Sequence, residues 1–79
     1  MALLIEFTIE PFVAGQPGPH VRAAIDAAKR SGLIVDVGPF GTSVSGGDDA
    51  RVLDAVEAIV RAAVSAGATR VSLQLQRTH

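Results

Sequence analysis

Two stretches of this chain alternate between apolar and polar side chains, with Leu4 as the exception, and this pattern restricts the possible folds more than any other feature. Residues 3–10 and 70–76 have the period of two that is typical of a strand with one buried face. The shorter segments 33–37 and 42–45 also alternate, and the glycine- and proline-containing segment between them favours a tight turn. We therefore predict four strands, of which the second and third form a hairpin.

Two other segments repeat apolar residues at helical spacing. The first begins at Pro19, which suits the first turn of a helix, and ends before Gly32, a residue type that favours helix termination. The second follows Asp48 or Asp49, either of which is a good N-cap, and continues to Gly67. Its broad apolar stripe comprises Val52, Leu53, Val56, Ile59, Val60, Ala63 and Val64. The predicted order of elements is therefore β-α-β-β-α-β.

Six elements in this order pack most simply as a ferredoxin-like α+β fold. In this fold four antiparallel strands form one sheet, and both helices cover the same face of it. The first and third strands lie in the middle, and the second and fourth strands form the edges. We expect one domain over residues 1–79, because a second core would need a longer chain.

The composition excludes several classes of function. The chain has no cysteine, so it has no disulfide, thiolate metal site or cysteine nucleophile. No second histidine or carboxylate lies one helical turn after His20, so we predict no metal site. A formal net charge of -1 without a basic run predicts neither a nucleic-acid partner nor a membrane partner. We expect a soluble, cytoplasmic protein.

One face of the predicted sheet is left uncovered by the helices and is polar, with an acidic middle. It carries Glu6, Thr8, Glu10, Ile34, Asp36, Ser43, Ser45, Ser72, Gln74 and Gln76. A small chain gains stability from association, and such a polar face differs from the apolar patches that usually drive it. We therefore predict a homodimer or homotetramer that is joined through edge strands in the first place, or else through a hydrated, hydrogen-bonded face.

The topology also brings chemically useful residues to one end of the sheet, where the first strand ends and the third begins. Glu10, Phe12, Phe40, Thr42 and Arg70 are expected to cluster there. Aromatic rings beside a carboxylate, a hydroxyl and a guanidinium at strand ends favour a small-molecule pocket. We predict no catalytic residue and no enzyme activity, because nothing places two carboxylates in contrasting environments.

Four short segments resemble the YkoF-like thiamine-binding family. They are residues 9–12 (Ile-Glu-Pro-Phe), 31–33 (Ser-Gly-Leu), 38–42 (Gly-Pro-Phe-Gly-Thr) and 66–71 (Ala-Gly-Ala-Thr-Arg-Val). The resemblance extends from the first strand to Gln76. It implies a ferredoxin-like domain that assembles as a dimer or tetramer and binds thiamine or its hydroxymethylpyrimidine part without acting on it chemically. It implies no other cofactor.

The resemblance also implies which residues form the walls of the pyrimidine pocket. These are the segment from Thr8 to Glu10 and the segment Gly41, Thr42 and Ser43. To them we add Phe40, which the topology places in the same pocket. Glu10 or Glu6 would accept a hydrogen bond from the amino group and offset the cationic thiazolium. Phe40 or Phe12 would stack on a ring or face the cation.

The chain departs from the family pattern at two of its positions. Many members have a glutamate where this chain has Ser45, and a methionine is common where it has Phe40. The first departure removes a negative charge just before Gly46, and the second changes the shape of the pocket more than its polarity.

Plainer interpretations of the same residues stay open. Glu6 and Glu10 can be solvated carboxylates on an open sheet, and Thr42 can fill the end of the core. The two phenylalanines can be core caps. The main alternative function is a regulatory or structural homo-oligomeric assembly domain without a thiamine ligand. An acylphosphatase-type enzyme is disfavoured, because its water-orienting asparagine has no counterpart in a chain without Asn.

Overall fold

The computed structural model describes residues 2–11, 18–39 and 41–78, and its elements follow the predicted order. They are β1 (Ala2–Glu10), α1 (Pro19–Arg30), β2 (Ile34–Val37), β3 (Thr42–Ser45), α2 (Asp49–Ser65) and β4 (Arg70–Thr78). The strands form one antiparallel sheet in the order β2-β3-β1-β4. Both helices pack against the same apolar face of this sheet. The predicted ferredoxin-like α+β fold is therefore confirmed.

The core lies between the sheet and the helices. Ile5 of β1, Val44 of β3 and Ile59 of α2 are completely buried. Complete burial of an aliphatic side chain of this kind contributes about 1.5–3 kcal/mol relative to leaving it exposed. On α1 the buried face consists mainly of alanines, which lets this helix lie close to α2 and the sheet. The packed layer between the sheet and the helices holds the strands in place and leaves the other face of the sheet open.

Strand β4 is two residues longer than the alternation predicts. Arg77 and Thr78 continue the ladder by pairing with Leu3 and Ala2 of β1. The register places Arg77 on the helix-covered side, where the pattern calls for an apolar residue. Its guanidinium reaches Asp49 at the start of α2, with an Nη2–Oδ2 distance of 3.1 Å. A charged side chain therefore occupies an inward-facing position at the open end of the sheet.

The apolar stripe of α2 is narrower than predicted. Val52, Ile59 and Ala63 are buried, but Leu53 is 51% exposed and Val64 is 60% exposed. The helix lies mainly over α1 and β1 and has little contact with β4. One flank of the stripe therefore lies beside the edge strand without being covered by it.

The predicted helix ends are confirmed. Asp48 caps α2, because its Oδ1 accepts a hydrogen bond of 2.9 Å from the backbone N–H of Arg51. Gly32 and Gly67 follow the two helices with φ angles of 77° and 102°, a conformation that favours glycine. Within the described part of the chain, neither helix has the length and apolar character needed to cross a membrane.

Candidate ligand-binding pocket

A pocket of about 440 Å³ lies on the open face of the sheet, beside the turn that joins β2 to β3. Small-molecule sites typically have volumes of about 300–1,000 Å³. Its lining residues come from all four strands and from the turn: Glu6, Phe7, Thr8, Asp36, Gly38, Pro39, Gly41, Thr42, Ser43, Ser72 and Gln74. The polar face that the strand alternation predicts thus contains a depression large enough for an organic ligand.

The strand register aligns the polar side chains of this pocket in rows. Ser43 of β3 pairs with Glu6 of β1 on one side and with Asp36 of β2 on the other. Glu6 also pairs with Gln74 of β4. Adjacent strands lie about 4.8 Å apart, so the backbones at Glu6 and Asp36 are separated by about 10 Å. A carboxylate therefore stands on each side of the Ser43 hydroxyl.

The turn between β2 and β3 forms one end of the pocket. Gly38 N–H donates a hydrogen bond of 2.8 Å to the carbonyl oxygen of Gly41, which closes the turn. A Cβ atom on Gly41 would lie 3.3 Å from the carbonyl oxygen of Phe7 and 3.4 Å from Cγ2 of Thr8. The backbone at Gly41 therefore lies directly against β1. Phe40, at the tip of this turn, lies outside the described residues.

Among the described residues, the charged side chains that line the pocket are all negative. Glu6 and Asp36 are its ionisable residues, and both are exposed to solvent. The other polar side chains that line it are hydroxyls and one amide, and no lysine or arginine occurs among the described lining residues. Residues 12–17 and Phe40, which lie outside the described ranges, have no ionisable side chains. The pocket therefore suits a neutral or cationic ligand with hydrogen-bonding edges.

The chain matches the family model described as "Thiamine-binding protein" over residues 5–78. It belongs to this thiamine-binding family. The match covers every strand and both helices apart from the first three residues of β1, so the resemblance recognised in the sequence is confirmed. A search of curated protein sequences finds no match.

Solved structures share the fold of this family member. A domain of unknown function (DUF77) from Bacillus cereus is 26% identical with a TM-score of 0.69, and the match covers 95% of this chain and 72% of that chain. A hypothetical protein from Methanocaldococcus jannascii is 23% identical with a TM-score of 0.69, over 98% and 81% of the two chains. A candidate thiamine biosynthesis/salvage protein from Thermotoga maritima is 24% identical with a TM-score of 0.54, over 96% and 81%.

Four of the six residues that the sequence assigns to the ligand line the pocket of this thiamine-binding family member. They are Thr8, Gly41, Thr42 and Ser43. The Thr42 side chain is only 7% exposed and lies on the helix-covered side, between Phe7 and Val37 in the register. Thr42 therefore contributes main chain to the pocket floor, whereas Ser43, on the opposite face, contributes its hydroxyl. Their roles in binding stay predictions.

Glu10 lies beyond the pocket, on the same face of β1 as Glu6 and Thr8. Its Oε2 atom is 3.4 Å from Nε of Arg70, the residue opposite it in the β1–β4 register. Its carbonyl oxygen accepts hydrogen bonds from N–H and Oγ1 of Thr69, at 2.8 Å and 3.2 Å. Of the predicted cluster, Glu10 and Arg70 meet at the end of the sheet, while Phe12 and Phe40 lie outside the described residues.

Several lining residues of the pocket were not among the residues assigned to its walls, although Glu6 was considered as an alternative acceptor to Glu10. They are Glu6, Phe7, Asp36, Gly38, Pro39, Ser72 and Gln74. The alternation of the strands placed the four polar ones on the open face. The alternation does not predict where along the strands the depression lies, because this depends on how the β2–β3 turn packs against β1.

No three His, Asp or Glu side chains within residues 2–11, 18–39 and 41–78 are arranged to hold a metal ion. His20, in the first turn of α1, forms a hydrogen bond through Nε2 with the carbonyl oxygen of Pro11. This histidine therefore links α1 to the end of β1, and it is not among the pocket-lining residues of this family member.

Proposed function

We propose that this member of the thiamine-binding family binds thiamine, or its hydroxymethylpyrimidine part, in the pocket on the open sheet face. The observation that carries the proposal is the pair of carboxylates, Glu6 and Asp36, on either side of Ser43 in a pocket of about 440 Å³. The family match supports the ligand class. The pocket supports the same class, because its charge and size suit a flat, cationic molecule.

Each part of thiamine has a complementary group in this lining. The amino group of the pyrimidine is a donor, and the Glu6 or Asp36 carboxylate can accept from it. The ring nitrogens are acceptors, and the hydroxyls of Thr8, Ser43 and Ser72 can donate to them. The positively charged thiazolium is offset by whichever carboxylate the amino group leaves free. The predicted stacking role of Phe40 is part of this proposal.

The proposed role is binding without catalysis. General acid–base chemistry by two carboxylates requires environments that separate their proton affinities, such as an apolar pocket around one of them. Glu6 and Asp36 are both exposed on the same open face, so their surroundings are alike. The proposal therefore assigns the pocket to ligand binding alone. We place this role in the cytoplasm, as the sequence predicts.

The direct test is calorimetric titration of the purified protein with thiamine and with hydroxymethylpyrimidine. We expect saturable binding near the micromolar range, which corresponds to about -8 kcal/mol. Glu6→Gln is expected to weaken thiamine binding by about tenfold, because a charge-assisted hydrogen bond is lost. Glu57→Gln on the outer face of α2 makes the same chemical change away from the pocket and is expected to leave binding unchanged. Absence of binding by both ligands would favour the assembly-domain alternative.

We also propose that the protein forms homodimers through β4, or a homotetramer made of two such dimers. Strand β4 is an edge strand of nine residues, whereas β2, at the other edge, has only four. Leu75 of β4 is 43% exposed. Leu53 of α2, one turn after the Asp49 that contacts Arg77 of β4, is 51% exposed. An antiparallel pair centred on Gln74 would place Leu73 of one copy opposite Leu75 of the other. The long unpaired edge and the exposed leucines would then be covered together.

A further inference from the structure

We infer that the pocket selects the unphosphorylated, cationic form of its ligand over the phosphate esters, and that Glu6 and Asp36 determine this selectivity. This selectivity rests on the proposed function and specifies which chemical form of the ligand is bound. It follows from the position of charges on the open face of the sheet. It makes the two carboxylates specificity-determining residues, beyond any role as hydrogen-bond acceptors.

The two carboxylates act on the same part of the pocket. Both residues pair with Ser43, one from each side, so a ligand atom above Ser43 lies between their strands. Adjacent strands are about 4.8 Å apart, so such an atom is close to both side chains at once. A single positive charge there is attracted by two negative ones, and a phosphate is repelled by both.

Among the described residues, the pocket offers no positive charge to balance a phosphate. Phosphate sites in proteins use arginine, lysine or the free N–H groups of a helix N-terminus. The described lining residues include neither cation, and both helices cover the opposite face of the sheet. In the turn, the Gly38 N–H is already donated to the Gly41 carbonyl oxygen.

The cation on this side of the sheet that comes nearest to such a role is Arg70. Its Nε atom is 3.4 Å from Oε2 of Glu10, so a negative partner already lies beside it. Arg70 does not line the pocket. A phosphorylated ligand could still be bound if its phosphate drew Arg70 away from Glu10. An experiment therefore has to detect this alternative.

Charge arithmetic gives the expected order of affinities. Thiamine carries one positive charge, hydroxymethylpyrimidine is neutral, and a phosphate ester adds about -1.5 to -2 at neutral pH. Opposite two carboxylates, thiamine is expected to bind at least about tenfold more tightly than thiamine monophosphate at low salt. The advantage is expected to shrink as salt rises, because exposed charges are screened over about 8 Å at physiological ionic strength.

The test compares thiamine, thiamine monophosphate and hydroxymethylpyrimidine by calorimetry on the full chain and on the double variant Glu6→Gln/Asp36→Asn. We expect the thiamine-to-monophosphate affinity ratio to fall by about tenfold or more in the double variant. Hydroxymethylpyrimidine reports the loss of hydrogen bonding alone, because it has no thiazolium charge. The matched control is Asp54→Asn/Glu57→Gln, which removes two exposed carboxylates of α2 and should leave the ratio unchanged.

Each outcome decides between the claims. If monophosphate binds the unmodified protein as tightly as thiamine, the inference is wrong and the proposed function stands; Arg70→Ala would then weaken monophosphate selectively. An unchanged ratio in the double variant also overturns the inference. If neither thiamine nor hydroxymethylpyrimidine binds, the proposed function fails and the inference fails with it. Both side chains are exposed, so the variants should keep the thermal midpoint, and the single variants serve if the double one does not fold.

Discussion

The Nε atom of Arg70 lies 3.4 Å from Oε2 of Glu10, and the two residues are direct partners in the β1–β4 register. This pair places the Glu10 carboxylate at the end of the sheet, two residues beyond Thr8 on the same face of β1. Glu6, on the same face, forms no ion pair with any described residue and lines the pocket instead. Two glutamates of one strand face therefore have different surroundings.

A comparison of Glu10→Gln with Glu6→Gln exploits this difference. We expect Glu10→Gln to weaken thiamine binding less than the roughly tenfold loss for Glu6→Gln, because its charge faces Arg70. An exposed ion pair contributes about 0–1 kcal/mol, so neither variant should lower the thermal midpoint by more than a few degrees. Calorimetry and thermal unfolding measure both effects. A larger loss of binding for Glu10→Gln would place the ligand at the strand end.

Gly41→Ala tests the close approach of the β2–β3 turn to β1. The new Cβ would lie 3.3 Å from the Phe7 carbonyl oxygen, so the turn and β1 must separate by a few tenths of an ångström; Cγ2 of Thr8, at 3.4 Å, would be in ordinary contact. We expect a stability loss of about 1 kcal/mol and weaker ligand binding. Equal denaturation midpoints for the original protein and Gly41→Ala would show that the turn yields without cost.

Asp48→Ala tests the cap of α2. The variant loses the 2.9 Å hydrogen bond from the Arg51 N–H to Oδ1, and we expect the free energy of unfolding to fall by about 1 kcal/mol. The neighbouring Asp49 provides the control, because its carboxylate forms an exposed pair with Arg77. Asp49→Ala should cost less. Chemical denaturation of both variants measures the difference, and an equal loss would contradict the assignment of the cap.

Leu75→Lys tests the proposed association through β4. Each added lysine would lie opposite Leu73 of the other copy and diagonal to the lysine of that copy, so burial and repulsion of the two charges oppose pairing. We therefore expect the protein to sediment as a monomer. Val37→Lys is the matched control on β2, since Val37 is 52% exposed and Leu75 is 43% exposed. Analytical ultracentrifugation gives the masses. Dissociation by the control variant but not by Leu75→Lys would place the interface at the other edge of the sheet.

Much of the fold follows from local patterns in the sequence. Period-two alternation identifies β1, and Asp48 and Gly67 mark the ends of α2 as predicted. The end of β4 is missed, because Arg77 breaks the alternation while its backbone continues to pair with Leu3. The exposure of Leu53 is also missed, since helical spacing defines a stripe but not the width of the surface that covers it.

The sequence predicts which face of the sheet carries the site, but not where on that face the site lies. Alternation places Glu6, Asp36, Ser72 and Gln74 on the open face, where they line the pocket. It also places Glu10 there, but the depression does not extend to it. The limit is set by three-dimensional packing, because the turn at Gly41 lies against β1 and fixes which rows of side chains it encloses.

The pocket draws residues from all four strands, including Asp36 on one edge strand and Ser72 and Gln74 on the other. Its shape therefore exists only while both edges remain paired with the central strands. A ligand held there would resist the opening of either edge, so its binding energy would add to the protection of amide hydrogens in β2 and β4. Occupancy of the site and slow hydrogen exchange at both edges of the sheet would then be linked properties.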